Sequence, residues 1–192
     1  MQNEIKKIIQ SMDVKQDREM AESKALTIFK FGPQALDILV DLGGSIEEKE
    51  NDIQIKKKQL RAIILSIAMF TRKKNIFQTK AISNSNAISL LCKLSSENYH
   101  SATGVLHRIG YSDSDIQKER LLSLPIVDLH SNDKEISLNE ALEEIKTAQL
   151  LTGINRIKNS GFIMGYSKRH AHEIYRVGKT DFVYRIRKRN LI

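Results

Sequence analysis

Apolar residues recur along the first 150 positions at spacings of three and four. From Glu19 the apolar set is Met20, Ala25, Leu26, Ile28, Phe29 and Phe31, which fits one face of a helix. Gly32-Pro33 then stops it, because glycine takes the left-handed C-terminal conformation and proline suits the first turn of a new helix. A second helix is expected from Gln34 through Leu42, ending at Gly43-Gly44. Two helices joined by so short a turn make an antiparallel hairpin. From Ile46 to Lys74 the chain reads as one long helix, polar at first and apolar later, without a turn signal.

The hairpin pattern recurs. Ala25-Leu26 with Phe29 to Gly32 is matched by Ala102-Thr103 with Leu106 to Gly110. Ala62-Ile63 lies between them and Ala141-Leu142 follows. These alanines are 37, 40 and 39 residues apart, and periods near 40 residues belong to solenoids of helical pairs. On Ala25 to Leu42, with Gly32-Pro33 between its helices, the chain resembles a HEAT-type repeat over residues 19–145. That resemblance implies an all-α fold: a short right-handed stack of antiparallel helical pairs. An irregular helical bundle is the alternative.

Near residue 122 the pattern changes. Leu124-Pro125 breaks the preceding helix, since proline disfavours a helical residue before it. Ser131-Asn132-Asp133 supplies turn formers. Asp113 and Asp115, in Tyr111-Ser112-Asp113-Ser114-Asp115, read as a helix cap. Ser137 with Glu140 has the spacing of a capping box ahead of a helix running to about Leu151, closed by Gly153.

Charge divides the chain more sharply than hydropathy. The net charge is +8, from 31 basic and 23 acidic side chains. Residues 151–192 hold ten basic groups against Glu173 and Asp181, so the first 150 residues are formally neutral. The expected organisation is a helical-pair domain over 1–150 and a small basic C-terminal module over 151–192, with room for a short strand pair. Within the module Phe162 to Tyr166 reads as a strand or packed loop, and Ser167 as the cap of a helix through Val177. Residues 171–186 then resemble a helix-turn-helix, with Ala171, Ile174, Val177, Phe182 and Ile186 at its buried positions. That resemblance implies a second helix presenting Arg185, Arg187, Lys188 and Arg189 to a groove or to phosphates. Arg176 departs from the motif by standing where its tight turn usually has a small residue. Alternation of Phe182, Tyr184 and Ile186 with Val183, Arg185 and Arg187 supports an edge strand equally well.

In either conformation a row of cations is interleaved with Tyr166, Tyr175, Phe182 and Tyr184, a composition that attracts phosphates and stacks bases. The expected binding residues are Lys168, Arg169, Arg176, Lys179, Arg185, Arg187, Lys188 and Arg189. Their partner is nucleic acid, DNA before RNA, or an acidic protein surface. Lys56-Lys57-Lys58, Arg61 and Arg72-Lys73-Lys74 either extend the basic track or form a solvated helix face.

Other chemistry is thinly represented. Cys92 is the lone cysteine, so no disulfide or cysteine-based zinc site arises within the chain. His170 and His172 diverge on a helix, and His100 and His107 have no carboxylate at ligand spacing. Gly178-Lys179-Thr180 resembles the end of a phosphate loop, but Glu173 stands where that motif needs its first glycine. The longest apolar run, Ala62 to Phe70, is nine residues, and a membrane span needs about 20. No catalytic residue, metal or cofactor is assigned. The expectation is a non-enzymatic cytoplasmic binding protein, bacterial or phage in origin, with self-association open to it.

Overall fold

A computed structural model describes residues 1–72, 82, 86–97, 99–152, 155–158, 161–166 and 170–188. The chain is mostly helical and divides into two compact units, Met1–Tyr111 and Ser112–Ile192. The boundary thus lies about 40 residues before the expected one at 150.

The first unit is built from α1 (Gln2–Ser11), α2 (Arg18–Lys30), α3 (Gln34–Lys49), α4 (Ile53–Arg72), α5 (Ala87–Ser96) and α6 (His100–Arg108). α4 organises it. From Ala62 to Thr71 every residue is buried, the signature of a helix enclosed on all sides. α1, α2, α3 and α6 all pack on it. Phe29 of α2 meets Phe70 edge-to-face at 5.0 Å. The buried hydroxyls of Ser66 and Thr71 donate to the carbonyls of Ala62 and Ala68, both at 2.8 Å, so neither is left unsatisfied in the core.

The α2–α3 turn follows the sequence: Gly32 has φ +80°, and Pro33 stands at the cap of α3. α3 does not end at Gly43-Gly44, however, but runs on to Lys49. Gly43 is a contact point. A Cβ there would lie 2.6 Å from Leu90 Cδ2 of α5, so its missing side chain permits a close helix crossing, and packing outweighs glycine's low helix propensity. The single long helix expected from Ile46 to Lys74 is broken at residues 50–52. Asp52 accepts from the backbone N–H groups of Gln54 and Ile55 at 2.8 and 3.1 Å and starts α4.

The second unit holds α7 (Asp113–Leu122), β1 (Lys134–Ser137), α8 (Leu138–Thr152), β2 (Asn155–Lys158), β3 (Gly161–Tyr166), β4 (His170–Arg176) and β5 (Asp181–Lys188). Caps form at both expected places. On α7 the cap residue is Ser112, with Asp115 as its reciprocal partner, while Asp113, expected in the cap, lies in the first turn. At α8, Glu140 accepts from the Ser137 N–H at 2.7 Å, and Ser137 Oγ accepts from the Glu140 N–H at 3.2 Å.

The strands form one antiparallel sheet in the order β1-β5-β4-β3-β2. The chain is mostly helical, as expected, but the module contains more strand than the short pair allowed for it. The helix-turn-helix resemblance fails: residues 170–176 and 181–188 are paired strands, not two helices. β4 gains ladder partners from β3 and β5, and β5 from β4 and, over Asp181–Tyr184, from β1. The strand alternative for 182–187 is the one observed, and over 181–184 β5 lies inside the sheet, between β1 and β4. Leu121, Leu124, Ile136, Ala141, Ile145, Ile174 and Phe182 form the core between the helices and one sheet face.

Candidate functional site

The eight cations expected to bind an anion fall into three groups. Lys168, Arg169 and Arg189 lie outside the described residues, as do the proposed cap Ser167 and the basic pair Lys73-Lys74. Arg187 and Lys188 lie in β5, at the register positions opposite Ala171 and His170. The remaining three, Arg176, Lys179 and Arg185, have defined surroundings.

Arg185 is engaged with the protein itself. Its Nε donates to Asp133 Oδ1 and its Nη2 to Asp133 Oδ2, both at 2.6 Å, and Nη2 also reaches the Asp128 carbonyl at 2.9 Å. The guanidinium lies 4.5 Å from the centre of the Tyr175 ring, within cation–π range. The two side chains are 12% and 4% exposed. This is a desolvated, bidentate pair of the kind arginine's planar fork favours. It holds the Asp133 carboxyl down to about 2. Tyr175 in turn donates to Glu173 Oε2 at 2.6 Å. Its ring crosses β3 at Gly161, where an added Cβ would sit 2.7 Å from Cε1.

Arg176 is also committed, to backbone carbonyls. Nε donates to Gly178 O and Nη2 to Lys179 O, both at 2.9 Å, and Nη1 donates to Leu122 O. Its own carbonyl accepts from the Val127 N–H at 2.8 Å. It thus ties the β4–β5 turn to the segment after α7, which explains an arginine where a small residue was expected. Lys179, at the tip of that turn, is exposed.

Residues 112–150 carry nine acidic and four basic side chains. The basic segment 151–192 shares its unit with them, and the surplus of the whole unit is +3. Asp133–Arg185 is one place where the two halves neutralise each other. No sequence signal connects residues 52 positions apart. Asp133 is visible in sequence only as a turn former, a role it also fills by accepting from the His130 N–H at 2.8 Å.

Two further polar clusters stand out. His172 Nδ1 and the Tyr184 hydroxyl are hydrogen-bonded, with their rings edge-to-face at 5.7 Å. Burial, then Glu144, pushes the Tyr184 phenol up. In the first unit, Lys93 Nζ lies 2.5 Å from Glu47 Oε2. The Glu97 carboxyl beside Glu47 is pushed up to about 7 by burial and by that neighbouring carboxylate.

No group of three or more histidine, cysteine or acidic side chains at metal-binding distance occurs among the described residues. No described helix is long and apolar enough to cross a membrane. Comparison with family models, with curated proteins and with solved structures gives no match.

Proposed function

We propose that the protein is a non-enzymatic binding protein of the cytosol whose C-terminal segment contacts nucleic acid, DNA in preference to RNA. The observation that supports this is the charge segregation: ten basic groups and two acidic ones within 151–192, on a chain otherwise neutral. The contacts then fall to Lys168, Arg169, Lys179, Arg187, Lys188 and Arg189, with Arg176 and Arg185 holding the scaffold that carries them. In this reading the first unit is a short stack of HEAT-like helical pairs.

A titration of duplex DNA at increasing salt tests the proposal. Each phosphate neutralised adds about 0.9 to the slope of log affinity against log salt. Reversing Arg187, Lys188 and Arg189 to Glu together is expected to lower that slope by about 3 and to abolish measurable binding at physiological salt. Arg185 is left intact so that lost binding is not confused with lost folding. Unchanged affinity in the triple variant refutes the role of this segment.

The second reading is a protein-interaction adaptor that docks on an acidic partner. It is favoured by the commitment of Arg176 and Arg185 to carbonyls and to Asp133. Absence of DNA and RNA binding at low salt, with an acidic partner retained, selects it.

A further inference from the structure

The sheet ends unevenly beside β5. β1 has four residues, registered from Lys134 opposite Tyr184 to Ser137 opposite Asp181. β5 has eight and continues to Lys188, with β4 alongside to the last pair, His170–Lys188. Among the described residues, β5 therefore has a neighbour on one side only over 185–188. In an antiparallel ladder, alternate residues turn both backbone groups to opposite sides, so two of these four turn N–H and C=O away from β4. The chain before β1 does not continue along that line. It turns, with the Asp133 N–H donating to His130 O at 3.0 Å. A groove of about 860 Å³ opens there, lined in part by His130, Asn132, Lys134, Glu144, Tyr184 and Ile186. Ile186 is 57% exposed, an apolar side chain on an otherwise polar margin.

We propose that residues 185–188 of β5 dock an extended acidic peptide segment of a partner protein by strand addition, in line with β1. An open stretch of sheet is satisfied by another extended backbone, which neither a helix nor a nucleic-acid duplex supplies. Charge sets the peptide's character. Arg187 and Lys188 lie in the open stretch and Lys134 at the end of β1, against Glu144 as the one acidic lining residue free of the Arg185 pair. The matching segment carries an apolar side chain against Ile186 and Asp or Glu on either side of it. This inference does not rest on nucleic-acid binding, and either can fail alone.

The test uses the full chain and a fluorescent octapeptide alternating valine and glutamate, followed by anisotropy. The same peptide with alternate backbone amides N-methylated keeps the charge and loses the ladder. The parent peptide is expected to bind at least fivefold more tightly than the methylated one. Ile186→Asp is expected to weaken the parent at least fivefold without moving the melting temperature, because Ile186 is exposed. Peptide addition is expected to slow amide exchange within 185–188. Equal binding of parent and methylated peptides, or no binding of the parent, overturns the proposal. A dimer of the chain that dissociates in Ile186→Asp assigns the edge to a second copy and equally overturns it.

Discussion

Replacing Arg185 by alanine separates a structural arginine from one that contacts a ligand. The substitution leaves Asp133, 4% exposed, without the guanidinium that holds it at two 2.6 Å contacts. It also removes the bond to the Asp128 carbonyl and the stack on Tyr175. Breaking a buried pair by deleting one partner costs about 3–5 kcal/mol. In a unit of this size about 4–8 °C of melting temperature accompanies each kcal/mol, so a loss of about 12 °C or more is expected. Hydrogen exchange read on β4 and β5 peptides is the assay, because it reports the second unit without interference from the first. Asp133→Leu combined with Arg185→Met is expected to recover most of the loss, since no charge then stays buried unpaired. The pair also fixes an acid limb. Asp133 is lowered from its ordinary value to about 2, so its contribution is complete above about pH 4 and is lost as pH falls towards 2. Asp133→Asn removes that limb. If Arg185→Ala leaves β4 and β5 protected to within about 0.5 kcal/mol, the range of an ordinary surface substitution, the pair is not structural. Arg185 then returns to the list of free cations.

Further expectations concern the first unit. Gly43→Ala drives a methyl to 2.6 Å from Leu90 and is expected to destabilise by about 1–3 kcal/mol. Gly44→Ala meets nothing within 4 Å and is expected to stabilise by about 0.5–1 kcal/mol; urea melts of both variants check the contrast. Glu97, raised to about 7, contributes stability that is complete below about pH 4.5 and is lost as pH rises through 7. Glu97→Gln should therefore flatten the stability of the first unit between pH 5 and 8, measured by exchange on α3 and α5 peptides.

Local signals were legible where local chemistry decides the structure. Gly32-Pro33 and Ser137 with Glu140 each act within four residues and do in the fold what their spacing implied; the cap expected around Asp113 and Asp115 also forms, with Ser112 as the cap residue and Asp115 as its partner. The break at 50–52 was less visible, because the capping role of Asp52 was read through as part of a continuous helix. Residues 170–176, His-Ala-His-Glu-Ile-Tyr-Arg, contain nothing that forbids a helix. β3 and β5 impose the strand, and both pairings lie beyond the reach of a local pattern. The binding row was misleading for a related reason. Cationic charge is visible in a sequence, but whether a cation already has its anion is not. Arg185 finds Asp133 across 52 residues, and Arg176 finds carbonyls that no residue type announces.

The placement of β1 and α8 ahead of the basic segment has a practical consequence. The segment that carries the charge surplus is not a detachable tail. Ending the chain after residue 153 removes four of the five strands and strips α8 and Ile136 of the sheet they pack on. A deletion at that point confounds ligand loss with collapse of the unit. The cut that respects the architecture falls between Tyr111 and Ser112, where α7 begins with its own capping box and a fragment starting there retains both members of the Asp133–Arg185 pair.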